Sequence, residues 1–300
     1  MPHEQTPAEL TFPVEERFDG CTLRDFLGRM GVSAGLVRQV KRAGGFFADG
    51  RPLRTCDRVA AGMTVRFALP PEPPTTVAPQ DLPLTVAYED EHAILLDKPA
   101  GTAVHPTLNY ADGTLANAYM GLLARRGKAG VFRPVNRLDR NTSGLVLCAK
   151  NAFAAPLLAE SAEKWYLALL EGTPPAEKGL IDAPIGRAPG SIILRCVCSG
   201  GKPSRTEYQV VRRCGRYTLV WARTLTGRTH QLRVHFAHIG CPLAGDDLYG
   251  GGRGAIARHA LHCGCIEFKR PADGQTVRVE SPLPPDMAAL AKCDGDLKIL

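Results

Sequence analysis

The sequence predicts an α+β body with a mixed, mainly antiparallel sheet, preceded by a small, basic α+β module. Three observations carry that expectation. Strand-like and helix-like segments beyond residue 80 do not alternate regularly, which disfavours a wound parallel sheet. Residues 17–70 read as helix, helix, strands, and hold ten Arg/Lys against four Asp, most of the formal surplus of +7. Between the two lies Pro70-Pro71-Glu72-Pro73-Pro74, a stiff polyproline stretch. A chain of 300 residues suits about two domains.

In chain order, residues 1–16 are acidic and polar and are expected to be a mobile tail. Residues 17–69 form the basic module. Thr22 is placed to cap a helix over 23–30, with Leu23, Phe26, Leu27 and Met30 at helical spacing. Ser33 is placed to cap a second helix over 34–43, stopped by Gly44-Gly45. Leu36, Val37 and Val40 make its apolar face, while Arg38, Lys41 and Arg42 fall at i, i+3 and i+4 as a basic stripe. Short strands follow at 46–48 and 64–67, with a turn at Asp49-Gly50. Residues 70–80 are a linker expected to hold the module away from the body and let it reorient. In the body, residues 81–300, strands are expected at 93–96, 145–149, 165–170, 208–212, 218–223 and 277–280. Cys214-Gly215-Arg216 reads as a hairpin turn. Helices are expected at 115–125, 153–160 and 230–238.

Composition narrows the function classes. Hydrophobic residues make up 44% and charged residues 22%, an ordinary globular balance. No apolar run approaches the roughly 18 residues of a membrane span. No secretory leader is visible, so the ten cysteines are expected to be free thiols in a reducing cytoplasm. Cys196-x-Cys198 and Cys263-x-Cys265 have one intervening residue, against the two to four of common zinc sites, and no metal is expected. A basic module beside a near-neutral body points to an anionic partner, most simply nucleic acid. No phosphate-cradling glycine loop or dinucleotide fingerprint is present.

The stretch Arg137-Leu138-Asp139-Arg140-Asn141-Thr142-Ser143-Gly144-Leu145 carries the chemistry. It sets one carboxylate between two guanidinium groups, ahead of a Thr-Ser-Gly turn and an apolar run. Flanking cations favour the ionised carboxylate. An ionised Asp at the mouth of an apolar strand suits nucleophilic or electrostatic work. Read without further context, the same string also fits a surface turn with a local ion pair.

That stretch resembles the signature of the RluA family of pseudouridine synthases, and further matches follow in the family's order. Asp97-Lys98-Pro99-Ala100-Gly101 and Gly113-Thr114-Leu115 precede it. Lys164-Trp165-Tyr166 and Gly227-Arg228-Thr229-His230-Gln231-Leu232-Arg233 come after, followed by Gly245-Asp246, Tyr249-Gly250 and Leu261-His262. Together they span roughly residues 82–290. The resemblance implies the bent sheet of a pseudouridine synthase domain and a cofactor-free isomerisation of uridine in RNA. Ribosomal RNA is the expected substrate; the alternatives are transfer RNA, or a non-catalytic RNA-binding ribosome-assembly factor on the same fold, and the chain is expected to act as a monomer.

The resemblance also assigns residues. Asp139 is the nucleophile or key anionic group, and attack on the ribose carbon or on uracil carbon 6 both remain open. Tyr166 stacks on the target base, and its phenol is a candidate to take the carbon-5 proton. Arg233 is the buried partner of Asp139, in a bidentate pair. Arg137 occupies the space left by an extruded base. Arg228 contacts phosphate, and Leu261 floors the uracil pocket. His230 is expected to be a structural hydrogen-bonding residue. Asn136, Asn141 and Cys241 depart from residues common in the family. The basic module resembles the αL-type RNA-binding domain first described in a small-subunit ribosomal protein, which makes Arg38, Lys41 and Arg42 RNA contacts.

Overall fold

The computed structural model of the chain describes residues 8–108 and 110–292. The basic module contains strand β1 (Glu9–Pro13), helices α1 (Leu23–Arg29) and α2 (Ala34–Ala43), and strands β2 (Phe46–Ala48), β3 (Arg51–Leu53) and β4 (Thr64–Ala68). Both helix caps form as expected. Thr22 accepts from the Asp25 amide and Ser33 from the Leu36 amide, each at 3.2 Å. Gly44, at φ 152°, ends α2 in a conformation that favours glycine.

The first correction concerns residues 1–16. Residues 1–7 lie outside those described, but β1 is not a tail: it pairs antiparallel with β4 along its whole length, in the sheet order β1-β4-β2-β3. Leu10 and Phe12 alternate with exposed residues and bury against Phe67 and Phe153. This period-two pattern was masked by the polar residues around it.

The body runs β5 (Thr85–Glu89), β6 (Ala93–Lys98), α3 (Leu115–Arg125), β7 (Arg133–Pro134), β8 (Ser143–Ala149), α4 (Ala154–Ser161) and β9 (Glu163–Glu171). It continues through β10 (Lys178–Asp182), the small hairpin β11 (Ile185–Arg187) and β12 (Arg195–Val197), then β13 (Arg205–Cys214) and β14 (Tyr217–Thr224). The last elements are α5 (Gln231–His238), β15 (Leu261–Lys269), β16 (Thr276–Glu280) and α6 (Pro285–Ala291). The main sheet has the order β10-β13-β14-β9-β15-β8-β6-β5, with β16 on β15 and β7 on β8. Every pairing in it is antiparallel except β15 with β8. The mixed, mainly antiparallel α+β sheet is therefore as expected.

At the sheet centre, β8 is buried along its whole length. Its one parallel contact explains Gly144. A Cβ there would sit 2.3 Å from the Cys263 carbonyl oxygen, and φ is +107°. Only glycine lets β8 and β15 approach this closely.

The linker is the second correction. Glu72 pairs with Arg133, Asn117 donates to the Ala78 carbonyl at 2.9 Å, and the Gly113 amide donates to Gln80 at 2.8 Å. Residues 72–80 thus lie along the body. The module is not held off either: Phe153 and Leu157 of the body join its apolar cluster, and Phe153 packs edge-on to Phe12 at 5.7 Å. Burying these side chains outweighs the spacer character of the prolines.

Candidate active site

Asp139 lies in the turn between β7 and β8, closed by the Thr142 amide donating to its carbonyl at 3.0 Å. Four buried side chains fix this turn. Asn136 clips the preceding segment to β8, donating to the Leu145 carbonyl at 3.1 Å and accepting from the Leu147 amide at 2.8 Å. Its amide can serve a donor and an acceptor of the strand at once, which accounts for asparagine at this departure from the family pattern. Lys98, fully buried at the end of β6, spends its ammonium donors on the carbonyls of Pro99, Thr102 and Arg140 at 2.8–3.0 Å. Burial pulls its pKa down to about 7, opposed by the charge of Asp139.

On the other side, Arg258 donates to the carbonyls of Asn141, His259 and Leu261 at 3.1–3.2 Å and forks onto Asp286 of α6 at 2.7 and 2.9 Å. One guanidinium thus ties the Asp139 turn to the start of β15. Thr142 meets the His259 ring at 2.8 Å. Burial, reinforced by Arg233, pushes His259 down to about 4.

Arg233 reaches Asp139 Oδ2 at 3.2 Å from α5 and is 7% exposed. The expected pairing is present, but its bidentate form is corrected: the fork belongs to Asp246, at 2.8 and 2.7 Å. The guanidinium sits between two carboxylates, one fully buried and one at the cleft. Burial works against its charge, yet Asp246 and Asp139 together hold its pKa above the ordinary value. His230 Nε2 lies 3.9 Å from the same Asp139 oxygen.

A cleft of about 1300 Å³ opens over these groups. Its base is built by three neighbouring strands of the sheet: Asp139 before β8, Tyr166 on β9 and Leu261 at the start of β15. Tyr166 and Leu261 are buried and line it. Tyr166 stands opposite Cys263, its cross-strand partner. Burial, with Cys263 and Asp139 adding to it, raises the phenol well above its usual range. It keeps its proton at neutral pH, which suits a stacking ring better than a proton acceptor. Arg137 is exposed at the cleft wall near Asp139. Arg140, expected to flank the carboxylate, turns away instead: it donates to the Gly101 carbonyl at 2.8 Å and to the Tyr110 hydroxyl at 2.7 Å.

Arg228 is exposed on the cleft wall, held by the Pro203 carbonyl at 3.3 Å. Arg187, Arg195 and Lys202 also line the cleft, so its walls suit a polyanion. Arg38, Lys41 and Arg42 are exposed on α2, in the module rather than in the cleft.

The family model for RNA pseudouridylate synthase matches residues 92–238. Ribosomal large subunit pseudouridine synthase D of Xanthomonas campestris is 38% identical over 271 residues, covering 83% of this chain and 81% of that protein. The chain belongs to the RNA pseudouridine synthase family. The same-named protein of Nitrosomonas europaea is 41% identical over 234 residues, covering 72% of this chain and 67% of its own. Among solved structures, human RNA pseudouridylate synthase domain containing 1 aligns with a TM-score of 0.57 at 28% identity, over 76% of this chain and 94% of that one. The chain is thus an RNA pseudouridine synthase, an isomerase whose partner is RNA.

Within this synthase, the sequence reading missed the groups that hold the Asp139 turn. Asp246 stood in a recognised motif, but its role as the fork partner of Arg233 had no local signal. Arg258 lies in a glycine-rich run that reads as loop, and Asp286 opens a helix that was not expected. Lys98 also stood in a recognised motif, with no local sign that it is an internal strut.

Proposed function

We propose that this synthase isomerises uridine in large-subunit ribosomal RNA, with Asp139 as the nucleophile. The observation that supports this most is a partly exposed carboxylate at the base of a cationic cleft, held on one oxygen by a buried arginine. The substrate class is carried over from the names of relatives 36–41% identical over most of the chain.

The reaction breaks the bond between uracil nitrogen 1 and ribose carbon 1′ and makes one from carbon 5 to carbon 1′. The proton leaves carbon 5 and nitrogen 1 gains one, so atoms and electrons balance without a cofactor. Attack on the ribose carbon and attack on uracil carbon 6 both begin at the Asp139 carboxylate. Extruding the base costs a few kcal/mol of stacking. Arg137 occupies the vacated space, Tyr166 stacks on the flipped ring and Leu261 floors its pocket. Arg228 takes a phosphate. The α2 stripe of Arg38, Lys41 and Arg42 extends the footprint, in a module of the αL RNA-binding type. The protein works as a monomer in the cytoplasm, where its RNA is made.

A carbodiimide primer-extension map of cellular RNA tests the substrate. A deletion strain carrying this chain is compared with one carrying Asp139→Ala. Marks in large-subunit ribosomal RNA that need Asp139 are expected. Marks confined to transfer RNA would overturn the substrate assignment.

A further inference from the structure

Both protein groups that approach the Asp139 carboxylate approach the same oxygen. Arg233 Nη1 stands 3.2 Å from Oδ2 and His230 Nε2 stands 3.9 Å from it. Among the described residues, no hydrogen bond or ion pair reaches Oδ1. The two approaching groups are in turn held by one turn of chain. Asp246 forks onto Arg233, and Tyr249, three residues later, places its hydroxyl 2.8 Å from His230 Nδ1. The Tyr249 and Gly251 amides close the turn onto the Asp246 carbonyl at 3.0 and 2.8 Å. Gly251 is required there, since a Cβ would sit 1.9 Å from the Leu243 carbonyl oxygen.

The hydrogen bonds and the neighbouring carboxylate together favour one histidine tautomer. Tyr249 Oη already accepts from the Arg195 amide at 3.1 Å, which leaves its proton free for His230 Nδ1. The His230 ring then carries its own proton on Nε2, the nitrogen 3.9 Å from Asp139 Oδ2. The opposite tautomer would set a lone pair against an anion. Burial favours the neutral ring. His230 also sits at φ 57°, ψ 21°, a backbone conformation unusual for a residue other than glycine and one held by its surroundings.

We propose that the Asp246–Tyr249 turn is a two-armed clamp on Asp139 Oδ2, acting through Arg233 and through an Nε2-protonated His230, and that it leaves Oδ1 free toward the cleft. Tyr249 and His230 are then positioning residues. Tyr249 also joins the clamp to β12, whose Arg195 lines the cleft. This rests on the assignment of Asp139 as the reacting group.

The test pairs a readout that needs no substrate with one that does. Histidine-ring nitrogen NMR of the full chain is expected to show His230 protonated at Nε2, and Tyr249→Phe is expected to shift the Nδ1 resonance by removing its hydrogen bond and to weaken that preference. Single-turnover tritium release is then measured with carbon-5-tritiated total RNA from a strain lacking the gene. Tyr249→Phe and His230→Asn are expected to lower the saturating rate about tenfold to a hundredfold, the scale of a slightly misplaced reacting group. The half-saturating enzyme concentration is expected to stay unchanged. His230→Gln, which keeps a donor near the Nε2 position, is expected to outperform His230→Asn, although Asn is the better fit to the backbone. A His230 protonated at Nδ1, or a Tyr249→Phe rate equal to wild type while Asp139→Ala is inactive, would overturn the clamp. Activity in Asp139→Ala would overturn the underlying site assignment instead.

Discussion

The Asp139 carboxylate is held by groups that are mostly not its sequence neighbours. Arg140 is adjacent but faces away, while Arg233 is 94 residues distant and makes the contact. A lysine at position 233 keeps the charge but cannot fork onto Asp246 and reach Asp139 at once. Arg233→Lys is expected to lower turnover about a hundredfold in tritium-release assays, with little change in RNA affinity. His259 gives a pH prediction. Its folded-state pKa of about 4 lies below the ordinary 6.5, so the unfolded chain binds more protons between those values. Stability from this group is complete above pH 6.5 and is lost as pH falls toward 4, about 3 kcal/mol in all. Burial also lowers His230, His235 and His262, so they add with the same sign. Urea midpoints are expected to fall between pH 6.5 and 4.5, and less steeply in His259→Gln. The meeting of Asp139, Tyr166 and Arg233 at one cleft was legible because their motifs have fixed spacing. Arg258 and Asp246 were not, because their partners lie across the fold.

At the level of elements, helices were read best. Residues 115–125 and 34–43 form helices as expected because apolar periodicity and the caps at Thr114 and Ser33 agree. Short edge elements were missed: β1, β7 and the β11–β12 hairpin are each five residues or fewer and carry little periodic signal. The β8–β15 contact makes the sharpest structural prediction. Gly144→Ala forces a Cβ into the Cys263 backbone at a strained φ. A loss of roughly 2–5 kcal/mol is expected in urea denaturation. On α2, Arg38→Glu with Lys41→Glu is expected to weaken RNA binding and reduce its salt slope by about 2, since each phosphate contact contributes about one. An unchanged slope would remove α2 from the footprint.

Across the whole molecule, the module and the body share apolar surface through Phe153, which no local pattern could announce. A ring on a body helix cap has no sequence link to Phe12, 141 positions earlier by residue number. The composition shift and the prolines suggested two separated units, whereas packing and the Glu72–Arg133 pair join them. Phe153→Ala is expected to cost about 3–5 kcal/mol, the usual penalty for truncating a buried phenylalanine. Faster proteolysis within residues 70–80 is expected to accompany it. A variant with unchanged midpoint and unchanged cleavage would show that the junction is not a stable contact.

The central claim is that Asp139, at the base of the cationic cleft, carries out the isomerisation. The most direct measurement is tritium release from carbon-5-tritiated RNA by the purified chain and by Asp139→Ala, with RNA binding followed in parallel. Release by the wild type, none by Asp139→Ala, and equal binding by both are the expected results. Release by Asp139→Ala at the wild-type rate would contradict the account.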